Sequence, residues 1–220
     1  MKSGRIRGVI FDQDGLLFDT ERLSVKAWNL AGDELGFHLE ESFLRTIRGA
    51  NAQDSARRFQ EVFGDAYDFK KLRGRKQEHF MRILRAQEMP VKKGARELLE
   101  YLREQGCKVA LATASTREYS EENLRLAGLR EYFQQMITGD MVQEAKPNPE
   151  IFLRAAKELG EEPGHCLVLE DSLNGIEAGI RGGFVTVMVP DLTQPDEELC
   201  RRVDRVCGSL LEVRDWLMEG

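Results

Sequence analysis

A series of short apolar runs, each followed by a longer helical pattern, constrains the fold more than any other feature of this chain. Side chains of a strand alternate between its two faces, so an uninterrupted apolar run predicts a strand that is buried on both. Buried strands separated by helices indicate βαβ units and a parallel sheet. We predict five strands, at Gly8 to Phe11, Lys108 to Thr113, Met136 to Thr138, Cys166 to Leu169 and Val185 to Val189.

Between residues 20 and 89 the strand-like runs are absent and only helical periodicity remains. Two apolar stripes carry it: Leu23, Ala27, Leu30 and Ala31 in the first, and Leu72, His79, Phe80, Ile83 and Leu84 in the second. This segment follows the first strand, so we expect it to lie over the carboxyl ends of the strands. The predicted fold is α/β, a Rossmann-like doubly wound parallel sheet core (residues 1–19 and 90–220) with an inserted all-helical cap domain (residues 20–89).

Composition limits the possible partners. The 220 residues carry a formal net charge of −6, which argues against nucleic acid polymers and anionic membranes as partners. The first apolar run is broken at Asp12, too early for a signal-peptide core, and no run is long enough to span a membrane. Cys107, Cys166, Cys200 and Cys207 show no Cys-x-x-Cys spacing. We therefore expect a cytoplasmic protein. No feature of the sequence indicates an oligomeric state, and a monomer is the default expectation.

Polar residues stand where three of the predicted strands end. Parallel strands place their carboxyl ends along one edge, where ligands of such sheets gather. Four carboxylates with no His or Cys among them form an all-oxygen set that suits a hard cation such as Mg²⁺. Lys146 precedes a predicted helix start, with Asn148 as N-cap and Pro149 in the first turn, and would add a positive charge there. The strand-end residues are Asp12, Asp14, Thr113, Ser115, Glu170 and Asp171.

Each of these signals has a simpler interpretation. Alternating acids also open a calcium-binding EF-hand loop, but that loop needs Gly at its sixth position and Glu at its twelfth, where this chain has Leu17 and Leu23. Thr113 and Ser115 could only cap the next helix. Lys146 could be a surface charge. The coincidence at several strand ends favours a site over these alternatives.

Four segments resemble the ordered motifs of the haloacid dehalogenase (HAD) superfamily, and the resemblance spans nearly the whole chain. Within it, the chain looks most like the phosphatase and β-phosphoglucomutase branch with a helical cap, and is similar to pseudouridine-5′-phosphatases and sugar phosphatases. The segments are Asp12-Gln13-Asp14-Gly15 with Asp19-Thr20, then Leu111 to Ser115, Lys146-Pro147-Asn148-Pro149, and Leu169-Glu170-Asp171-Ser172 with Gly175.

The resemblance implies a role for each strand-end residue. Asp12 would attack phosphorus and form an aspartyl-phosphate, and Asp14 would protonate the leaving alcohol and then activate water. Phosphate oxygens would be held by Lys146, Thr113 and the backbone of Ala114. The Mg²⁺ ligands would be Asp12, Asp14 through its backbone carbonyl, and Asp171, with Glu170 either a ligand through water or a partner of the ligands.

The resemblance leaves the reaction partly open. Dehalogenases lack the second aspartate, so Asp14 favours phosphoryl transfer. Ser24 stands where β-phosphoglucomutases carry a cap histidine, which favours hydrolysis over mutase activity. The expected substrate is a small phosphorylated metabolite, a sugar or nucleoside phosphate. A mutase and a non-catalytic phosphate-binding scaffold remain alternatives. Arg48, Gly49 and Asn51, at a predicted turn of the cap, are candidate substrate contacts.

Overall fold

A parallel sheet forms the centre of the protein. The computed structural model describes residues 6–36, 38–47, 52–64, 68–86 and 88–219. Its strands run parallel in the order β3-β2-β1-β4-β5-β6, so the predicted α/β class is confirmed. They are β1 (Gly8–Phe11), β2 (Lys108–Thr113), β3 (Gln135–Thr138), β4 (Cys166–Glu170), β5 (Val185–Met188) and β6 (Arg205–Val206).

The five predicted strands are all present, with one-residue differences at some ends. β3 begins one residue earlier than predicted, β5 ends one residue earlier, and β4 continues to Glu170. The edge strand β6 was not predicted. It has only two residues, both exposed, so it lacks the apolar run by which the others were recognised.

Four helices follow β1 and six more flank the sheet in the described part of the chain. The predicted cap at Asn148 is displaced by one residue: Pro149 is the N-cap of the helix, and Asn148 Oδ1 accepts a hydrogen bond from the Glu150 N–H (2.9 Å). The helices are α1 (Thr20–Glu34), α2 (Glu41–Ile47), α3 (Ala52–Phe63), α4 (Phe69–Arg85), α5 (Ala95–Glu104), α6 (Arg117–Leu126), α7 (Glu150–Leu159), α8 (Leu173–Arg181), α9 (Glu197–Arg202) and α10 (Leu210–Met218).

Successive residues of β1 face opposite sides of the sheet, and each side has its own core. Phe11 belongs to one cluster with Leu98 and Leu99 of α5, whereas Ile10 belongs to another with Phe152 of α7. All five side chains are fully buried. Helices therefore cover both faces of the sheet, as the doubly wound prediction requires.

Helices α1 to α4 build separate apolar clusters above the sheet. One contains Phe43, Phe59 and Leu72, and the rings of Trp28 and Phe69 stack beside it with centroids 6.2 Å apart. Only helices occur in this segment among the residues that the structure describes. The division into a core domain and a cap domain at residues 20 and 89 stays a prediction.

The strand register places the polar strand ends side by side. Phe11 of β1 lies opposite Leu111 of β2 on one side and Leu169 of β4 on the other. Residues that follow these three positions therefore emerge at one edge of the sheet, beneath α1 and α4.

Candidate active site

Three buried carboxylates converge at the carboxyl edge of the sheet. Asp12 follows β1, Glu170 ends β4 and Asp171 follows it, and each residue is less than a tenth exposed. Ligand oxygens of the three lie within 4.8 Å of one another. Such a set could hold a divalent metal ion, since it offers several oxygens at close range.

Lys146 supplies positive charge to this cluster. Its ammonium group donates hydrogen bonds to Asp12 Oδ1 (2.5 Å), to Glu170 Oε1 (2.7 Å) and to the carbonyl oxygen of Ala112 (3.0 Å). Its side chain is 4% exposed and lies 4.7 Å from the ring centroid of Phe152. One lysine thus uses all three of its protons inside the cluster.

When all three are ionised, the carboxylates of Asp12, Glu170 and Asp171 carry more negative charge than the ammonium group of Lys146 balances. Burial raises the pKa of Asp12 to about 7, with Glu170 and Asp14 adding to the effect and Lys146 opposing it. Burial, Glu170 and Asp12 raise the pKa of Asp171 well above its ordinary value. Burial alone would lower the pKa of Lys146, but Asp12 and Glu170 outweigh it and raise that pKa. A divalent cation would reverse the shifts of the two aspartates, because it favours their anions.

Gly15 allows the chain to leave β1 beside the carboxylates. Its φ of +88° lies in the left-handed region, and a Cβ added there would lie 2.3 Å from Asp171 Oδ2. Its N–H donates to the carbonyl oxygen of Phe18 (2.8 Å), which closes a tight loop. A side chain at this position would collide with a predicted metal ligand.

The carboxylate of Asp14 lies among hydroxyl groups. Oδ1 accepts hydrogen bonds from Thr20 Oγ1 (2.6 Å) and Tyr119 OH (3.2 Å), and Oδ2 accepts one from Ser115 Oγ (2.8 Å). This carboxylate is not part of the three-carboxylate cluster found among the described residues. The predicted metal ligand was the backbone carbonyl of Asp14 and not its carboxylate, and the cluster does not test that prediction. Sequence reasoning had not linked Tyr119 to the site.

Glu170 is held by protein donors at both oxygens. Oε1 accepts from Lys146, and Oε2 accepts from the N–H groups of Asp171 (2.9 Å) and Ser172 (2.8 Å) and from Ser172 Oγ (2.9 Å). A Cβ added at Gly175 would lie 1.7 Å from Oε1, so this helix glycine makes room for the carboxylate. Of the two roles left open for Glu170, a ligand through water or a partner of the ligands, these contacts agree with the second, and the choice between them stays a prediction.

Thr113 and Ala114 lie at the end of β2 as predicted. Thr113 is 1% exposed, and its Oγ1 accepts a hydrogen bond from the Ser115 N–H (3.1 Å). This bond turns the chain toward α6, whose N-cap is Thr116. Both predicted phosphate contacts therefore stand next to the carboxylate cluster, although their role in phosphate binding stays a prediction.

A cavity of about 730 Å³ lies between the sheet edge and the helices above it. The predicted catalytic and phosphate-binding residues Asp12, Asp14, Thr113, Ala114 and Lys146 all line it, as do Glu170 and Asp171. On the helical side its wall includes residues that sequence reasoning had not assigned to the substrate: Val25, Trp28, Phe69, Lys70, Arg73, Lys76, Gln77 and Phe80.

Lys76 is the most buried cation of that helical wall. Burial lowers its pKa, although Glu21 and Asp14 counteract the effect. Its ammonium group lies 4.7 Å from the ring centroid of Phe80 and 5.6 Å from that of Trp28. The predicted cap contacts Arg48, Gly49 and Asn51 lie outside the described residues.

Comparison with known proteins identifies the family. The sequence pattern of haloacid dehalogenase-like hydrolases matches residues 6–183. This chain belongs to the haloacid dehalogenase-like hydrolase family. A putative phosphatase of Bacillus subtilis, YhcW, is 33% identical to this HAD-like hydrolase over 187 residues, which is 84% of either chain. A phosphorylated carbohydrates phosphatase of Thermotoga maritima is 32% identical over 179 residues, covering 81% of this chain and 82% of the other.

A solved structure shares the fold of this HAD-like hydrolase. The β-phosphoglucomutase of Clostridium difficile superposes with a TM-score of 0.82 over 97% of this chain and 96% of the other, at 23% identity. The family pattern and the named phosphatases place the chain, as an enzyme, in the phosphatase and phosphomutase branch. No helix in the described ranges has the length and apolar character needed to cross a membrane.

Proposed function

We propose that this HAD-like hydrolase is a Mg²⁺-dependent phosphatase that hydrolyses a small phosphate monoester, a sugar or nucleoside phosphate, through an aspartyl-phosphate at Asp12. The observation that carries the proposal is the pairing of a buried carboxylate cluster with Lys146 at the base of a cavity. Asp14 stands beside the cluster, in position to act on a leaving group that occupies the cavity. Two relatives named as phosphatases support the same chemistry.

The residues present fit a magnesium ion. The cluster contains only oxygen ligands. Burial first, and then the neighbouring carboxylates, raise the pKa of Asp12 and of Asp171, so a cation that favours their anions is needed to keep both ionised. Asp12 and Asp171 would hold the ion, together with the backbone carbonyl of Asp14. When bound, Mg²⁺ would stabilise the anion of Asp12 and offset the negative charge of the phosphate.

The residues of the chain then divide the reaction between them. An Asp12 carboxylate oxygen attacks phosphorus as the bond to the ester oxygen breaks, and Asp14 gives a proton to the departing alkoxide. In the second step Asp14 takes a proton from water, whose oxygen attacks phosphorus while the bond to Asp12 breaks. Lys146 and Thr113 bind phosphate oxygens in both steps, and inorganic phosphate leaves with Asp12 restored.

Hydrolysis is favoured over a mutase reaction by Ser24, which lines the cavity where a β-phosphoglucomutase carries histidine. A mutase must keep water from its aspartyl-phosphate while the sugar turns. To test this, the protein is incubated with β-glucose 1-phosphate, and phosphate and glucose are the expected products. Stoichiometric conversion to glucose 6-phosphate would instead assign the mutase reaction.

The hydrolase assignment is tested with para-nitrophenyl phosphate, with Mg²⁺ and with EDTA. We expect Mg²⁺-dependent release of phosphate, and Asp12→Asn should lower kcat by at least about a thousandfold because it removes the nucleophile. Asp33→Asn, at an exposed position of α1, is the control and should keep full activity. No turnover in the wild type, or equal turnover in Asp12→Asn, would refute the assignment. A screen of phosphorylated metabolites then identifies the leaving group.

A further inference from the structure

We propose that Asp191, on the loop after β5, is a positioning residue that holds the two chain segments connecting the sheet to α1 and α4, and thereby holds Thr20 against Asp14. These segments, residues 15–20 and 88–92, are called the linkers. The inference rests on the proposed function insofar as Asp14 acts on the leaving group. Asp191 is neither a member of the carboxylate cluster nor part of the cavity lining, although its charge contributes to the raised pKa of Asp171.

One carboxylate of Asp191 contacts both the returning linker and the first turn of α1. Its Oδ1 accepts a hydrogen bond from the ammonium group of Lys92 (2.9 Å), in the returning linker. The same oxygen lies 3.7 Å from the guanidinium of Arg22, in the first turn of α1, and that guanidinium also lies 3.3 Å from Asp19. The side chain of Asp191 is only 2% exposed and that of Lys92 is 23% exposed, so water screens their contact less than the contact with Arg22, which is 60% exposed.

The linkers are also joined to each other by backbone contacts. The Asp19 N–H donates to the carbonyl oxygen of Pro90 and the Lys92 N–H donates to that of Leu17, both at 2.8 Å. Phe18 and Val91 form an antiparallel bridge between them. The two linkers therefore move as one unit, and Asp191 attaches this unit to the end of β5.

This attachment leads directly to Asp14. Thr20 is the first residue of α1, two residues before Arg22, and its hydroxyl donates the 2.6 Å hydrogen bond to Asp14 Oδ1. If the linkers shift relative to the sheet, Thr20 shifts with them. That contact is the shortest of the three hydroxyl hydrogen bonds that hold the Asp14 carboxylate, and the only one of them donated from α1. A displacement of about 1 Å can cost roughly a hundredfold in rate.

Packing alone does not account for a carboxylate at position 191. Its Oδ2 is buried and makes no hydrogen bond within the described part of the chain. A buried ion pair seldom stabilises more than apolar residues of similar volume would. The carboxylate of Asp191 instead fixes positions, because its charged oxygen attracts the side chains of Lys92 and Arg22 to the same point. The observations thus favour a positional role over a purely stabilising one.

The test compares Asp191→Asn with Glu161→Gln. Glu161 is a matched control, since its side chain is 10% exposed and pairs with Lys108 (2.7 Å) at the amino end of the sheet, away from the cavity. With para-nitrophenyl phosphate we expect Asp191→Asn to lower kcat at least about fivefold. Its inhibition constant for inorganic phosphate should stay unchanged, because Asp12 and Lys146 are untouched. Both variants should lower the melting temperature by a similar amount, because each weakens one ion pair, but Glu161→Gln should leave kcat unchanged.

A double-mutant cycle tests the route through α1. Arg22 is 60% exposed, so Arg22→Met should cost little stability while lowering kcat. The double variant Arg22→Met/Asp191→Asn should be no slower than Asp191→Asn alone, because both changes break the same contact. Full kcat in folded Asp191→Asn, or an equal loss in Glu161→Gln, would overturn the proposal.

Hydrogen exchange separates this inference from the proposed function. Even if the wild type hydrolyses no ester, Asp191→Asn should speed exchange of the Asp19 and Lys92 amides, whose bonds join the linkers. Glu161→Gln should not. Unchanged exchange at both amides in Asp191→Asn would refute the positional role, whether or not the protein is a phosphatase.

Discussion

At the scale of single residues, the site depends on backbone positions as much as on charged groups. Asp12 and Asp171 follow different strands, and the Asp171 carboxylate can occupy its place in the cluster because Gly15 beside it carries no side chain. The positive φ of Gly15 and its short distance to Asp171 are separate constraints. Gly36, which has only the first of them, allows the cost of each to be measured separately.

Gly15→Ala should therefore cost more than backbone strain. Left-handed backbone costs about 1–2 kcal/mol for alanine, and the added Cβ would also press on the buried Asp171 carboxylate. We expect the free energy of unfolding to fall by at least about 2 kcal/mol and kcat to fall at least roughly tenfold, since Asp171, the proposed metal ligand, would be displaced. Urea titrations and phosphatase assays measure the two effects.

Gly36→Ala is the matched control. Gly36 has a φ of +82°, close to that of Gly15, but an added Cβ meets nothing within 4 Å. Gly36→Ala should lower the free energy of unfolding by only about 1 kcal/mol and leave kcat unchanged. Similar losses of stability and activity in the two variants would contradict the steric argument at Gly15.

At the scale of elements, α4 is both part of a core and part of the cavity wall. Leu72, Phe80 and Leu84 are buried at intervals of four residues or eight, and Lys76 falls on the same face. A lysine inside an apolar stripe lowers the free energy of unfolding unless its charge is compensated. Because Lys76 lines the cavity, we expect its ammonium group to bind an anionic or hydroxylated leaving group.

Lys76→Met should accordingly stabilise the protein while weakening catalysis. The variant keeps most of the aliphatic stem and removes a half-buried charge whose pKa is lowered by burial, so the free energy of unfolding should rise by up to about 1 kcal/mol. KM for the best sugar phosphate should rise roughly tenfold, since a charged hydrogen-bond donor is lost. Lys71→Met, at an exposed position of α4 outside the cavity, should change neither quantity. A destabilised Lys76→Met with unchanged KM would show that the lysine is structural.

The elements also show how far the sequence could predict the structure. Strands β1 to β5 were predictable because burial on both faces leaves a continuous apolar run. Asp12, Lys146 and Asp171 were predictable because they lie where such runs end or where a helix begins. Lys76 could have been found from its place in the Leu72 to Leu84 stripe. Tyr119 could not, because its hydroxyl meets Asp14 across 105 positions and no local pattern records that contact.

At the scale of the whole molecule, charge is concentrated where the two layers meet. The cavity has carboxylates and Lys146 at the sheet edge, and Glu21, Lys70, Arg73 and Lys76 on the helical side. Charged groups meet here because parallel strands gather their ends and the inserted helices face them. Metal binding should therefore affect global stability, and its effect should depend on pH.

Without a metal ion, the cluster should make stability fall as pH rises. The pKa of Asp12 is raised from 3.8 to about 7 in the folded protein, and that of Asp171 is raised as well. Between about pH 4 and pH 7 the carboxyl of Asp12 is ionised in the unfolded chain but holds a proton in the folded one, and the raised pKa of Asp171 acts in the same direction. The unfolded state then binds fewer protons, so Asp12 alone costs up to about 1.4 kcal/mol per pH unit in that interval.

Mg²⁺ should remove this penalty, because it binds the anions and competes with their protons. We predict that excess Mg²⁺ raises the melting temperature more at about pH 8 than at about pH 5.5, relative to EDTA at matched ionic strength. Asp171→Asn should lose most of the increment at both pH values, since it removes a ligand and leaves the fold. Equal increments at the two pH values in the wild type would mean that Mg²⁺ does not displace protons from Asp12 and Asp171, and would place the ion elsewhere in the molecule.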